Sequence, residues 1–85
     1  MKTVAIDPDT ERAARAFLAW RQEDLAKEAK VGLATIARIE QGQGAVQGNV
    51  STIIRIQDAL ERAGIRFLDN EAGGGIGVRL ITPKA

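Results

Sequence analysis

The sequence predicts a mainly α domain of four helices followed by a C-terminal β-hairpin, and three observations point to it. Apolar residues recur at steps of three and four in four separate stretches between Glu11 and Ala63. Gly42 and Gly64 stand just beyond the third and fourth stretches, where helices stop. After Gly64 the pattern shortens: Ile65 to Leu68 and Ile76 to Thr82 flank a glycine-rich turn, as paired strands do. A chain of 85 residues supports one core, so we read a single domain over 1–85, with its core over 10–64 and a tail over 65–82.

Met1 to Ile6 read as a short arm or edge strand, followed by the turn residues Asp7-Pro8-Asp9. Helix one is expected to begin near Thr10, capped by Asp9 or Thr10. Ala13, Ala14, Phe17, Leu18 and Trp20 gather on one side of it as core, leaving Arg12 and Arg15 outward. Helix two spans Gln22 to Ala29, with Leu25, Ala26 and Ala29 apolar and Glu23 and Asp24 in the first turn, where the helix dipole favours acids. Lys30, Val31 and Gly32 interrupt the pattern. Helix three then runs from Leu33 to Gln41 with Ile36 and Ile39 inward.

Gly42 to Gly48 form a loop, closed by Asn49 as the N-cap of helix four, Val50 to Ala63. Ile53, Ile56, Leu60 and Ala63 form the inner stripe of that helix, and Ile54 lies off it, either as a partly covered surface residue or as a subunit contact. The edge of the hairpin is a candidate for pairing with Met1 to Ile6 or with a second subunit. Gly73-Gly74-Gly75 is not a phosphate loop, because neither Lys-Ser/Thr nor a helix N-terminus follows it.

Composition narrows the function. The chain has no cysteine, no histidine and no tyrosine, which removes disulfides, thiolate metal sites and the commonest general base. Its single serine, Ser51, has no imidazole to activate it. We therefore expect no enzyme, no cofactor and no metal. Twelve basic against eleven acidic residues leave a net charge of +1, a weak electrostatic footprint for nucleic acid. No apolar run is long enough for a membrane span and no signal core opens the chain, so a cytoplasmic protein with no membrane partner is expected.

The run Gln22-Glu23-Asp24-Leu25-Ala26-Lys27-Glu28-Ala29, then Val31, then Thr35-Ile36-Ala37-Arg38-Ile39-Glu40-Gln41-Gly42 resembles the Cro/lambda-repressor helix-turn-helix family, often called XRE-like. The resemblance covers Arg12 to Ile65, and the tail looks like that of a subgroup of short bacterial regulators in the family. It implies a four-helix domain of the lambda-repressor type that binds double-stranded DNA, as a homodimer on an inverted repeat, and acts as a repressor or controller of transcription. Helix three would enter the major groove. Carried over by position, Leu33, Ala34, Thr35, Ala37 and Arg38 would face the groove and Gln22 would meet the backbone, with Arg21, Lys30 and Gln43 or Gln47 adding phosphate contacts. Glu40 would support the fold through an ion pair with Arg12 or Arg15.

The chain departs from the family at Lys30, where a glycine is usual, at Gly32, where a serine or threonine cap is usual, and at Leu33 and Ala34, often polar in relatives. Leu33 and Ala34 can pack on thymine methyls but cannot hydrogen-bond a base. The alternative is a protein-contact surface built on Leu33, Ala34 and Ile54. Such a module would act as an antiactivator sequestering a transcriptional activator, or as an antitoxin.

Overall fold

The computed structural model describes residues 6–42, 50–68 and 74–81. They form α1 (Pro8–Leu18), α2 (Gln22–Ala29), α3 (Leu33–Glu40), α4 (Val50–Arg62), β1 (Ile65–Leu68) and β2 (Gly77–Leu80). The expected arm over Met1 to Ala5, the loop with its Asn49 cap, and most of the turn between the strands lie outside these residues.

Helix α1 starts earlier than the sequence suggests. Its cap is Asp7, not Asp9 or Thr10: the Asp7 carboxylate accepts from the Thr10 backbone N–H at 2.8 Å, and the Thr10 hydroxyl accepts from the Asp7 N–H at 2.9 Å. This reciprocal pair is a capping box, and Pro8 fits the first helical position because its fixed φ and missing N–H cost nothing there. The helix ends at Ala19, held left-handed at φ 55°. An alanine there pays the steric cost that a glycine avoids. Ala19→Gly is therefore expected to raise stability by about 1 kcal/mol, read from the midpoint of denaturant unfolding.

The core draws on every element described. Leu25, Ile36, Ile56 and Leu60 are fully buried and surrounded by Ala14, Ala26, Ala29, Ile39, Ile53, Ala59 and Ile65. Ile6, Leu18, Trp20 and Val31 pack against this cluster together with Phe67, Val78 and Leu80 of the hairpin. The strands are antiparallel, pairing Ile65 with Leu80 and Phe67 with Val78. Gly64 turns the chain out of α4 at φ +112°, a conformation that L side chains rarely adopt.

Two expectations for α1 are corrected. Phe17 is not a core residue but 51% exposed. The inward stripe is centred on Glu11 and Ala14, and at 100° per residue Phe17 lies about 60° round from Ala14, at the edge of the stripe. Arg15 does not point outward; it turns under the domain toward Glu40. The apolar count placed the stripe slightly wrong because two of its buried members, Thr10 and Glu11, are polar. Ala13, Ile54 and Ala63 are half-buried.

Candidate nucleic-acid interface

The arrangement begins with two eight-residue helices and a three-residue interruption. At the start of α2 the Asp24 carboxylate accepts from the Arg21 backbone N–H at 2.8 Å, satisfying one of the free donors of the first turn. At its end Lys30 takes the left-handed conformation itself, φ 58° and ψ 47°, in the place of a glycine. The Val31 N–H then reaches back to the Ala26 carbonyl at 3.0 Å and closes the turn. Gly32 is extended and offers no side-chain cap, so α3 begins with its carbonyl alone accepting from Thr35 and Ile36.

Within α3, Ile36, Ile39 and Glu40 face the domain, while Leu33, Ala34, Arg38 and Gln41 are exposed. Thr35 and Ala37 are half-buried. By helical spacing Ala34, Ala37, Arg38 and Gln41 share the outer face, with Leu33 at its N-terminal flank. The other expected contacts are more scattered. Arg21 is exposed but sits 3.8 Å from Asp24 and 4.0 Å from Glu23, so its charge is partly compensated. The Gln22 side chain turns inward and donates to Glu40 at 3.2 Å. Lys30 is exposed and lines a groove with Arg55, Asp58 and Arg62 on the α4 side. Gln43 and Gln47 lie outside the described residues.

The orientation of α3 rests on a polar cluster that joins three helices. Arg15 grips the Glu40 carboxylate with two parallel bonds, Nε to Oε2 at 2.8 Å and Nη2 to Oε1 at 2.5 Å, the geometry in which a guanidinium binds a carboxylate best. A third bond joins Arg15 Nη1 to the Trp20 carbonyl at 3.0 Å. Arg12 adds a bond to the Glu40 backbone carbonyl and pairs with Asp9. Of the two partners open to Glu40 in the sequence, its carboxylate takes Arg15, while Arg12 binds its main chain.

Glu11 was not foreseen here. It is fully buried, and neither of its oxygens has a donor partner among the described residues. That is the position of a neutral acid that itself donates. Burial, the hydrogen bond to Glu40 and the Glu40 charge push its pKa up to about 9, against the lowering by Arg15 and Arg12. Burial also raises Glu40, but the bonds from Arg15, Glu11 and Gln22 and the Arg15 charge outweigh it and hold that carboxyl below its ordinary value. The hydrogen bond to Glu40, opposed by burial and reinforced by the charges of Glu40 and Glu11, raises Arg15. The signal for Glu11 lay in its spacing, since Glu11, Ala14 and Leu18 share a helix face and Arg15 is one turn on.

Among the described residues no helix is long and apolar enough to cross a membrane, and no group of three or more acidic, histidine or cysteine side chains could hold a metal. The outer face of α3 has the chemistry of a contact surface: one guanidinium, one amide, one partly covered hydroxyl and small apolar groups. Comparison with known proteins finds no family model and no curated relative that matches the chain.

Proposed function

We propose that α2 and α3 act as a helix-turn-helix of the lambda-repressor type and that the chain is a sequence-specific regulator of transcription, not an enzyme. The observation that carries this reading is the division of α3. Its inner residues are clamped to α1 and α2, and Ala34, Arg38 and Gln41 project from one outer face. In this reading Arg38 donates to guanine O6 and N7 in the major groove, Leu33 and Ala34 pack on thymine methyls, and Thr35 and Ala37 border the contact. Arg21 approaches a phosphate, as does Gln22 through its backbone N–H, its side chain being engaged with Glu40; such contacts fix position but carry no sequence information. One domain of this size covers a single half-site, so the functional unit is a homodimer on an inverted repeat in the cytoplasm.

The test is an anisotropy titration against the DNA upstream of the coding sequence and a scrambled duplex, each over a salt series. Arg38→Ala is expected to weaken binding to the cognate duplex by about 10- to 100-fold while leaving the salt-dependent, nonselective component near its original value. Selectivity that survives the change counts against Arg38 as the reader. A monomeric mass in sedimentation at high micromolar concentration removes the dimer.

A second reading is favoured by Leu33, which is 46% exposed at the start of α3. On it, Leu33 and Ala34, with the half-buried Ile54 as a subsidiary contact, form the apolar centre of a protein interface, as in an antiactivator or an antitoxin. Leu33→Glu separates the two readings: it breaks a protein complex centred on that face, and an unchanged partner affinity removes this second reading.

A further inference from the structure

The two short strands alternate, so Ile65, Phe67, Val78 and Leu80 face the helices while Arg66 and Arg79 face outward with Leu68 and Gly77. The register sets Arg66 directly opposite Arg79. Both are exposed, and among the described residues neither has an ion pair or a side-chain hydrogen bond. Like charges facing each other across two strands oppose pairing, and packing does not require an arginine at either outward position. An anion bridging the two guanidiniums would turn this repulsion into attraction.

A groove adjoins the pair where the end of α4 meets the hairpin. Its wall includes Arg62, Gly64, Arg66 and Ile81, with Glu61 also lining it. Its floor is drawn tight by the Ile81 N–H, which donates to the Gly64 carbonyl at 2.7 Å, and a Cβ at Gly64 would come within 3.1 Å of the Ile81 carbonyl. Ile81 is 42% exposed and continues the outward side of β2 beyond Arg79. Two arginines, Arg62 and Arg66, therefore line the groove beside an apolar floor, and Arg79 stands across the strand pair from Arg66. Arg62 donates to the Glu28 backbone carbonyl at 3.4 Å.

We propose that this outward hairpin face, Arg66 and Arg79 with the groove beside them, binds an acidic segment of another protein that carries apolar residues among its carboxylates. Carboxylates meet the arginines and an apolar side chain covers Ile81. A nucleic-acid strand fits less well, because among the described residues this face has no aromatic ring for base stacking. A second copy of the chain fits less well still. A two-fold interface on this face would bring each arginine pair against its own image. The site is also separate from α3, which packs mainly on α1 and α2, whereas the hairpin packs mainly on α1 and α4. The assignment therefore stands or falls independently of the role of α3.

The experiment titrates the full chain with a short fluorescein-labelled peptide of alternating glutamate and leucine pairs, its glutamine counterpart, and a labelled DNA duplex of arbitrary sequence. The glutamate peptide is expected to bind at least about tenfold more tightly than the glutamine peptide. Arg79→Glu and, separately, Arg66→Glu should each remove that preference while raising Tm, because each replaces a repulsive cross-strand pair with an attractive one. Lys27→Glu, the same charge change on the exposed side of α2, should leave the preference intact. The assignment is overturned by failure of the glutamate peptide to bind, equal affinity for the two peptides, an equal loss with Lys27→Glu, or a fall in Tm with both arginine variants. Duplex binding that the arginine changes abolish, without peptide preference, would assign the face to nucleic acid and overturn it as well.

Discussion

Replacing Glu40 with glutamine is expected to destabilise the domain by about 3 kcal/mol, enough to unfold a large fraction of a protein this small. The Glu40 side chain is 3% exposed and its Arg15 partner 18% exposed, so neither is compensated by water when the other is removed. Loss of the carboxylate leaves the Arg15 guanidinium with the Trp20 carbonyl and the neutral acid of Glu11. Glu11 then becomes the rescuer. With the Glu40 charge gone, Arg15 and Arg12 favour ionisation of Glu11, which can take the vacated role at a cost in geometry. The double variant Glu11→Gln/Glu40→Gln should therefore be less stable than the sum of the single changes predicts. Denaturant melts of the four proteins in this cycle measure the coupling, and strict additivity would show that the two acids do not share Arg15.

The second large effect is on pH dependence. Glu11 holds its proton in the folded state up to about pH 9, whereas in the unfolded chain it ionises near 4.5. The folded state thus binds more protons between these values, and stability must fall as pH rises through that window. The slope is expected to approach about 1 kcal/mol per pH unit near neutrality. Glu40 has the opposite sign. Its lowered folded pKa adds stability that is present above the unfolded value and lost as the solution is acidified. Together the two acids place maximum stability in the acidic range, close to the ordinary carboxylate value of 4.5 at which the two opposing slopes meet. Glu11→Gln keeps a donor toward Glu40 without a titrating proton, so it should abolish the alkaline slope and raise stability at pH 8 by about 2 kcal/mol. Melts across pH 5 to 9 decide it, and an unchanged slope would place the linked proton elsewhere.

Much of the framework was legible because punctuation and periodicity agreed. The bounds of α2 and the starts of α3 and α4 follow from the apolar steps and the break at Lys30 to Gly32. The hairpin was legible from the change of period after Gly64, but its register was not. The facing of Arg66 and Arg79 emerges only when the strands are paired. Helix α1 shows the other limit. A reading that assigns buried faces by apolarity cannot anticipate a stripe containing Thr10 and Glu11, and it therefore turned Phe17 inward and Arg15 outward. Buried charge depends on partners far away in sequence: Glu40 is 25 residues from Arg15. For α3, the inward residues were readable from spacing, while the inward turn of Gln22 depended on where Glu40 came to rest.

The packing of β2 on α1 bears on how the chain is made. These elements are separated by about sixty residues, so α1 leaves the ribosome long before the strand that covers it. Until Val78 and Leu80 emerge, the helical segments can collapse only with part of the core open to solvent. Emergence of β2 is thus the step that closes this core in the nascent chain. A ribosome stalled before Gly77 is released would hold a helical but protease-sensitive intermediate, and release of a few further residues would convert it to the resistant domain.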